Sequence, residues 1–298
     1  MSAHLDPTSL RLFVRVAELG TIAAAAEREH LSAAAVSKRL SEIEGALHTP
    51  VLTRTNKGVE PTAAGRALLA LARSALHELD QVSVQMQDYA SGVRGLVRLT
   101  ASMSALTQFL PGHLQGFLAA HPEVQLQIDE KTSSQIPKAV AENATDIGIY
   151  LPVQPGPPLQ TFAYASDRLV LVTAPGHALA RHRQIALADT LAYDFVGLHT
   201  GSAINTQLAG FTRAAQRSWR LRMQVTSFDA LCLMVSAGMG VAVLPQVVAE
   251  RNALTTPLAL VALTDASAQR DFLIGVRSLE ALPRAAQLLV EHLRAAAG

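Results

Sequence analysis

With 298 residues, 49% of them hydrophobic, and a mean hydropathy of +0.23, the chain has length for two or three compact modules and is excluded from the disordered class. Its net charge of +1 argues neither for nor against a nucleic-acid partner, so such a case must rest on where charge is placed. There is no run of eighteen apolar residues and no basic start followed by an apolar segment, and Cys232 is the single cysteine. The expectation is a protein of the cytoplasm with no signal peptide, no membrane span and no internal disulfide.

The first sixty residues predict helices with short breaks. Leu10, Phe13, Val14, Val16 and Ala17 mark a first helix, closed by Gly20. Thr21 is placed to cap a second, "IAAAAEREH", and Ser32 to cap a third after a very short connection. In the third, Val36, Leu40, Ile43 and Leu47 draw one apolar stripe, while Ala34, Ser37, Lys38 and Ser41 make a small, mildly basic opposite face. Two helices joined so tightly, the second amphipathic, form a helix-turn-helix signature. "VLTR" and "VEP" then flank the turn "TNKG" and predict a β-ribbon wing, with Arg54 and Lys57 near its tip. Between His30 and Gly58, four Lys and Arg outnumber two Glu, a local excess of positive charge.

Thr62 is placed to cap a long helix through residue 90. Leu68, Leu71, Ala75, Leu79, Val82 and Met86 recur along it at three or four residues, a narrow stripe suited to a dimer seam. The alternative is a helix packed on its own domain. After the boundary "SGVRG" the texture changes. Eight β-rich runs alternate with helical stretches, which predicts βα units and a mainly parallel sheet, with "RLVLVTA" and "DFLIGV" bridging two lobes.

Four strand ends carry hydroxyls: Ser102 and Ser104; Thr132, Ser133 and Ser134; Thr200 and Ser202; and Ser227, beside Phe228 and Asp229. In open α/β sheets ligands sit beyond the carboxyl ends of strands, where helix N-termini offer free N–H groups. Each hydroxyl alone reads as a helix cap; together they predict a cleft for a small polar or anionic molecule. No metalloprotease, nucleophile-elbow or phosphate-loop motif is present, so no catalytic residue, metal site or cofactor is predicted. His177 and His182 lack a Cys or carboxylate companion and read as surface or turn residues, and Cys232 reads as a core thiol.

The segment from Leu12 to Leu69 resembles the N-terminal region of the LysR-type transcriptional regulators. Phe13, Thr21, Ala25-Ala26, Ser32, Ser37, Ile43-Glu44, Leu47, Pro50, Arg54, Thr62 and Gly65 carry the likeness. "FLAAHPEVQLQI", "DIGIY", "RLVLVTAPGHALA" and "VSAGMGVAVLP" resemble that family's effector-binding half. The resemblance implies an α/β protein with three parts. These are an all-α winged helix-turn-helix (1–61), a linker and dimerisation helix (62–90) and a two-lobed effector domain like a periplasmic binding protein (91–298). Lobe I would take about 91–163 plus 268–298, and lobe II about 164–267. It further implies a homodimer or homotetramer on double-stranded promoter DNA, with RNA polymerase as a further partner, answering a small effector. By position, Thr21, Ser32, Ala33, Ala34, Ser37, Lys38, Arg54 and Lys57 fall at the DNA, and Ser102, Ser104, Thr132, Ser133, Thr200, Ser202 and Phe228 around the effector. Leu68, Leu71, Leu79, Val82 and Met86 fall on the dimer seam. Ala33 and Ala34 depart from a Gln followed by Pro or Ser, as Val51-Leu52 departs from Leu-Phe. An alanine cannot pair with adenine as glutamine does, so base reading is expected to lean on Ser37, methyl contacts and DNA shape.

Overall fold

The computed structural model describes residues 5–55, 58–91, 93–214 and 216–296, without the side chains of residues 80, 81, 83–91 and 214. The described residues divide into an N-terminal unit, up to residue 91 together with Glu142–Ala144, and a larger unit of Val93–Ala141 and the residues from Thr145 onward.

The N-terminal unit holds α1 (Pro7–Leu19), α2 (Ile22–Arg28), α3 (Ala33–Leu47), β1 (Leu52–Thr55), β2 (Gly58–Pro61) and α4 (Ala63–Ser91). Three hydroxyl caps set the helix starts: Thr21 accepts from Ala24 N, Ser32 from Ala35 N, and Thr62 from Gly65 N. Gly20 takes φ 71° as the C-cap of α1. The second helix is shorter than expected: it stops at Arg28, and His30 at φ 54° turns the chain toward α3. Phe13, Val16, Ala25, Val36, Leu40 and Ile43 share one core, and the small Ala25 and Ala26 let α2 and α3 lie close. Burying each large member of that set is worth about 1.5–3 kcal/mol.

The β1–β2 hairpin is antiparallel, with Arg54 opposite Val59. It is fastened at both ends, near the turn and at the base. Val59 N donates to Gly20 O at 2.8 Å, and a Cβ on Gly58 (φ +133°) would stand 2.2 Å from that same oxygen. Glu44 Oε1 accepts from Val51 N at 2.9 Å and Leu52 N at 3.2 Å, which ties the wing to α3.

Along α4 two adjacent stripes separate. Leu68, Ala72 and Leu76 are buried in the N-terminal unit's own core, whereas Leu71, Ala75, Leu79 and Val82 are exposed. Leu68 is therefore removed from the expected seam, and the side chain of Met86 lies outside the described residues.

The larger unit runs β3 (Gly95–Ala101), α5 (Met103–Gln108), α6 (Leu110–Ala120), β4 (Val124–Glu130), α7 (Ile136–Ala141), β5 (Ile147–Tyr150) and β6 (Gln160–Thr173). There follow β7 (Gln184–Ile185), α8 (Leu187–Thr190), β8 (Asp194–Leu198), α9 (Ala203–Ala214), β9 (Arg220–Val225), α10 (Phe228–Ser236) and β10 (Ala242–Pro245). Next come α11 (Gln246–Ala253), β11 (Ala259–Leu263), β12 (Gln269–Val276) and α12 (Arg284–Ala295).

The sheet is mixed rather than mainly parallel. β3 pairs in parallel with β4 and β5, and β8 with β9, but β12, β10 and β11 all meet β6 antiparallel. The fourteen-residue β6 is the cause. Its Gln160–Arg168 half pairs with β12, and its Leu169–Thr173 half pairs with β10 and β11, so one strand serves both lobes. Tyr164 packs in the first lobe's core, so the crossing falls near Asp167–Arg168, later than the expected 163/164. Cores built on Leu99, Phe117, Ile149 and Leu289 in one lobe, and on Leu171, Phe195, Leu231 and Val243 in the other, hold the two halves.

Candidate functional site

Ala33, Ala34, Lys38 and Ser41 are exposed on α3, with Ser37 half-buried beside them and the cap Ser32 exposed at the helix start. Thr21 is half-buried at the start of α2. The capping bonds use the hydroxyl oxygens of Thr21 and Ser32 as acceptors, which leaves each O–H free to donate outward. Lys38 Nζ lies 3.9 Å from Glu42 Oε1 one turn along, with its side chain 79% exposed, so the pair restrains it little. Arg39 is different: its Nη1 donates to Ser9 Oγ at 3.0 Å and lies 3.5 Å from Asp6 Oδ2, which fastens α3 to the start of α1. Arg54 is exposed on β1; Lys57 lies outside the described residues.

In the larger unit, a cleft of about 200 Å³ opens between the lobes. Ser102, Ser104, Thr132, Ser133, Ser202 and Phe228 all line it. Strand ends bring them together: β3 delivers Ser102 and Ser104, β4 delivers Thr132 and Ser133, and β8 and β9 deliver Ser202 and Phe228. Their hydroxyls are not equivalent. Ser133 Oγ accepts from Leu151 N at 3.2 Å, and Ser202 Oγ caps α9 through Asn205 N at 3.2 Å. Ser102 stands at the cap position of α5 yet makes no capping bond, and its buried Oγ has no partner among the described residues. A buried hydroxyl left alone costs free energy, and a ligand oxygen in the cleft would remove that cost.

Thr200 is not in the lining. Ser202 N donates to His199 O at 3.1 Å, and this tight turn swings the exposed Thr200 outward. Lys131, Glu130, Gln135 and His199, which the hydroxyl pattern passed over, do line the cleft. Lys131 directly follows β4, so the strand-end rule that picked Thr132 reaches it too. The wall thus carries one amine and one carboxylate, together with the amino end of the twelve-residue α9.

Among the described residues no group of three or more His, Cys, Asp or Glu is disposed to hold a metal ion, and no helix is long and apolar enough to cross a membrane. His177 Nδ1 accepts from Leu179 N at 3.2 Å and serves a turn. Cys232 is buried, and desolvation, with Asp229 nearby, pushes its thiol up to about 11, so it stays protonated and unreactive near neutral pH.

A family model described as "Bacterial regulatory helix-turn-helix protein, lysR family" matches residues 7–66, and one described as "LysR substrate binding domain" matches residues 90–298. Among curated relatives, the "RuBisCO operon transcriptional regulator" of Allochromatium vinosum is 27% identical over 241 residues, 80% of this chain and 79% of that one. The "Uncharacterized HTH-type transcriptional regulator YbhD" of Escherichia coli (strain K12) is 25% identical, over 80% of this chain and 75% of that one. Among solved structures, CbnR complexed with its target DNA aligns with a TM-score of 0.70 at 23% identity, covering 98% of this chain and all of that one. The effector-binding domain of QuiR in complex with shikimate aligns at 0.61 and 16% identity, over 69% of this chain and 98% of that one. With both parts matched in order, the chain belongs to the LysR family, as a DNA-binding transcription regulator, not an enzyme, with a helix-turn-helix head and a substrate-binding effector domain.

Proposed function

We propose that the interlobe cleft takes a small polar or anionic effector and that its occupancy governs how the protein sits on promoter DNA in the cytoplasm. The observation that carries this reading is the buried Ser102 Oγ, without a partner among the described residues, in a cleft shared with five other strand-end residues. Lys131 and the amino end of α9 favour an anion there, and Glu130 selects against a crowded or doubly charged one. Shikimate, the ligand named with QuiR, is a polyhydroxylated carboxylate of this chemical kind.

On the DNA side, α3 enters the major groove with Ala33, Ala34 and Ser37 toward base edges, while Thr21, Ser32, Lys38, Arg54 and Lys57 hold phosphates. The exposed Leu71, Leu79 and Val82 face of α4 joins two protomers, and two dimers make the homotetramer that meets RNA polymerase. CbnR with its target DNA is a protein of the same fold engaging such a partner.

The effector reading is tested by thermal-shift screening of small hydroxylated carboxylates on the wild type, on Ser102→Ala and on Lys131→Gln. A stabilising compound whose effect is lost in both variants, with operator affinity unchanged, is expected. A compound that stabilises all three proteins equally would move the effector out of this cleft.

A further inference from the structure

A second cavity, of about 370 Å³, lies elsewhere in the larger unit and shares no lining residue with the first. Leu151, Pro152 and Val153 after β5 form one wall, and Thr206, Gln207 and Gly210 of α9 another. Arg270 and Asp271, at the start of β12 where the strands pass between lobes, complete it. Its size falls within the range of small-molecule sites, about 300–1,000 Å³.

Arg270 is 4% exposed. Its Nε donates to Asp167 Oδ1 at 2.7 Å, and its Nη2 pairs with Asp167 Oδ2. That edge-on pairing of a planar guanidinium turns Nη1 away from Asp167, and the buried Nη1 has no partner among the described residues. A lone buried donor calls for an acceptor. Charge decides which kind. Asp167 already neutralises Arg270, and Asp271 adds a further carboxylate to the wall, so an anion would meet no spare positive charge.

We propose that this cavity is a second ligand site, for a small uncharged molecule with an apolar body and one carbonyl or hydroxyl oxygen. The body lies on Leu151, Pro152 and Val153, and the oxygen accepts from Arg270 Nη1. Arg270 Nη2 also lies 3.5 Å from Ser104 Oγ, and Ser104 lines the first cleft, so the guanidinium that receives this ligand touches the wall of the other cavity. The site stands independently of the effector reading of that cleft.

The test is saturation-transfer NMR on the full-length protein, with phenylacetamide as probe and phenylacetate as its charged twin. A Cβ at Gly210 meets no atom within 4 Å, so Gly210→Leu fills the cavity without a clash and with a better helix former. Thr206→Leu, on the same exposed face of α9, is the second filler. Saturable binding of phenylacetamide is expected, weakened about tenfold or more by either filler, unchanged by Ser102→Ala, and about tenfold tighter than phenylacetate. No saturable signal at millimolar probe would overturn the site. Loss of binding in Ser102→Ala but in neither filler would assign the probe to the first cleft, and tighter phenylacetate would overturn the chemical class.

Discussion

Replacing Asp167 by alanine removes the carboxylate that holds Arg270. Both side chains are 3% exposed, and Asp167 also accepts from Gln108 Nε2 at 2.8 Å. The guanidinium would keep Ser104 Oγ, at 3.5 Å, and the Phe272 ring, whose centroid lies 5.6 Å from Cζ, and neither neutralises its charge. Stripping one partner from a buried ion pair costs about 3–5 kcal/mol, because the remaining charge stays desolvated and uncompensated. With a urea m-value of about 2.5 kcal/mol/M for a unit this size, the midpoint should fall by about 1–2 M. Trp219, the single tryptophan, packs edge-on against Phe195 with ring centroids 5.4 Å apart, so its fluorescence reports the unfolding of this unit. The double variant Asp167→Leu/Arg270→Met should regain most of the loss, since an apolar pair leaves no charge stranded. A shift under about 0.3 M for Asp167→Ala, or a double variant no more stable than the single, would refute this account of the pair.

Arg54→Ala should weaken binding to specific and random DNA alike and lower the salt slope by about one, measured by fluorescence anisotropy across a salt series; unchanged binding would take Arg54 off the phosphates. Leu79→Asp should shift sedimentation toward monomer, whereas Leu71→Ala, which keeps the face apolar, should shift it less. A normal oligomer for Leu79→Asp would remove this face of α4 from the seam. In the larger unit, burial and the nearby His292 push His113 below its ordinary 6.5. The folded state then binds fewer protons than the unfolded chain, so stability is full above about pH 6.5 and falls as pH drops toward the lowered value. Urea midpoints read by Trp219 at about pH 7.5 and 5.5 should show that loss, and His113→Gln should flatten it.

The caps, the wing and six of the seven cleft residues were legible because each rests on local chemistry: a hydroxyl before a helix, a turn between two short strands, a strand end. What escaped depends on tertiary partners. Leu68 and Leu71 both fit a three-four spacing, and only Leu68's place in the core that also holds Phe13 and Val16 separates the buried stripe from the exposed one. β7 and β11 are short and weakly patterned, and their place comes from pairing with each other and with β6. The first half of β6 carries Gln160, Thr161, Ser166 and Asp167, too polar to advertise a strand, yet β12 recruits it. Thr200 and Ser202, two hydroxyls near one strand end, look alike in the sequence until the turn points them apart.

The shared strand bears on how the protein is made. Arg168 and Gln269 are cross-strand partners, so the whole second lobe departs from and returns to adjacent points of the first, as an insertion between two arms of a hairpin. On the ribosome the inserted lobe is continuous chain and can close as soon as β11 has emerged. The first lobe cannot. Its core needs Phe272 and Ile274 from β12 and Leu289, Val290 and Leu293 from α12, so during synthesis Leu99, Phe117 and Ile149 wait uncovered until that last helix arrives. In a growing chain, the lobe begun earlier is the one finished later, and its exposed apolar strands are the interval's risk of aggregation.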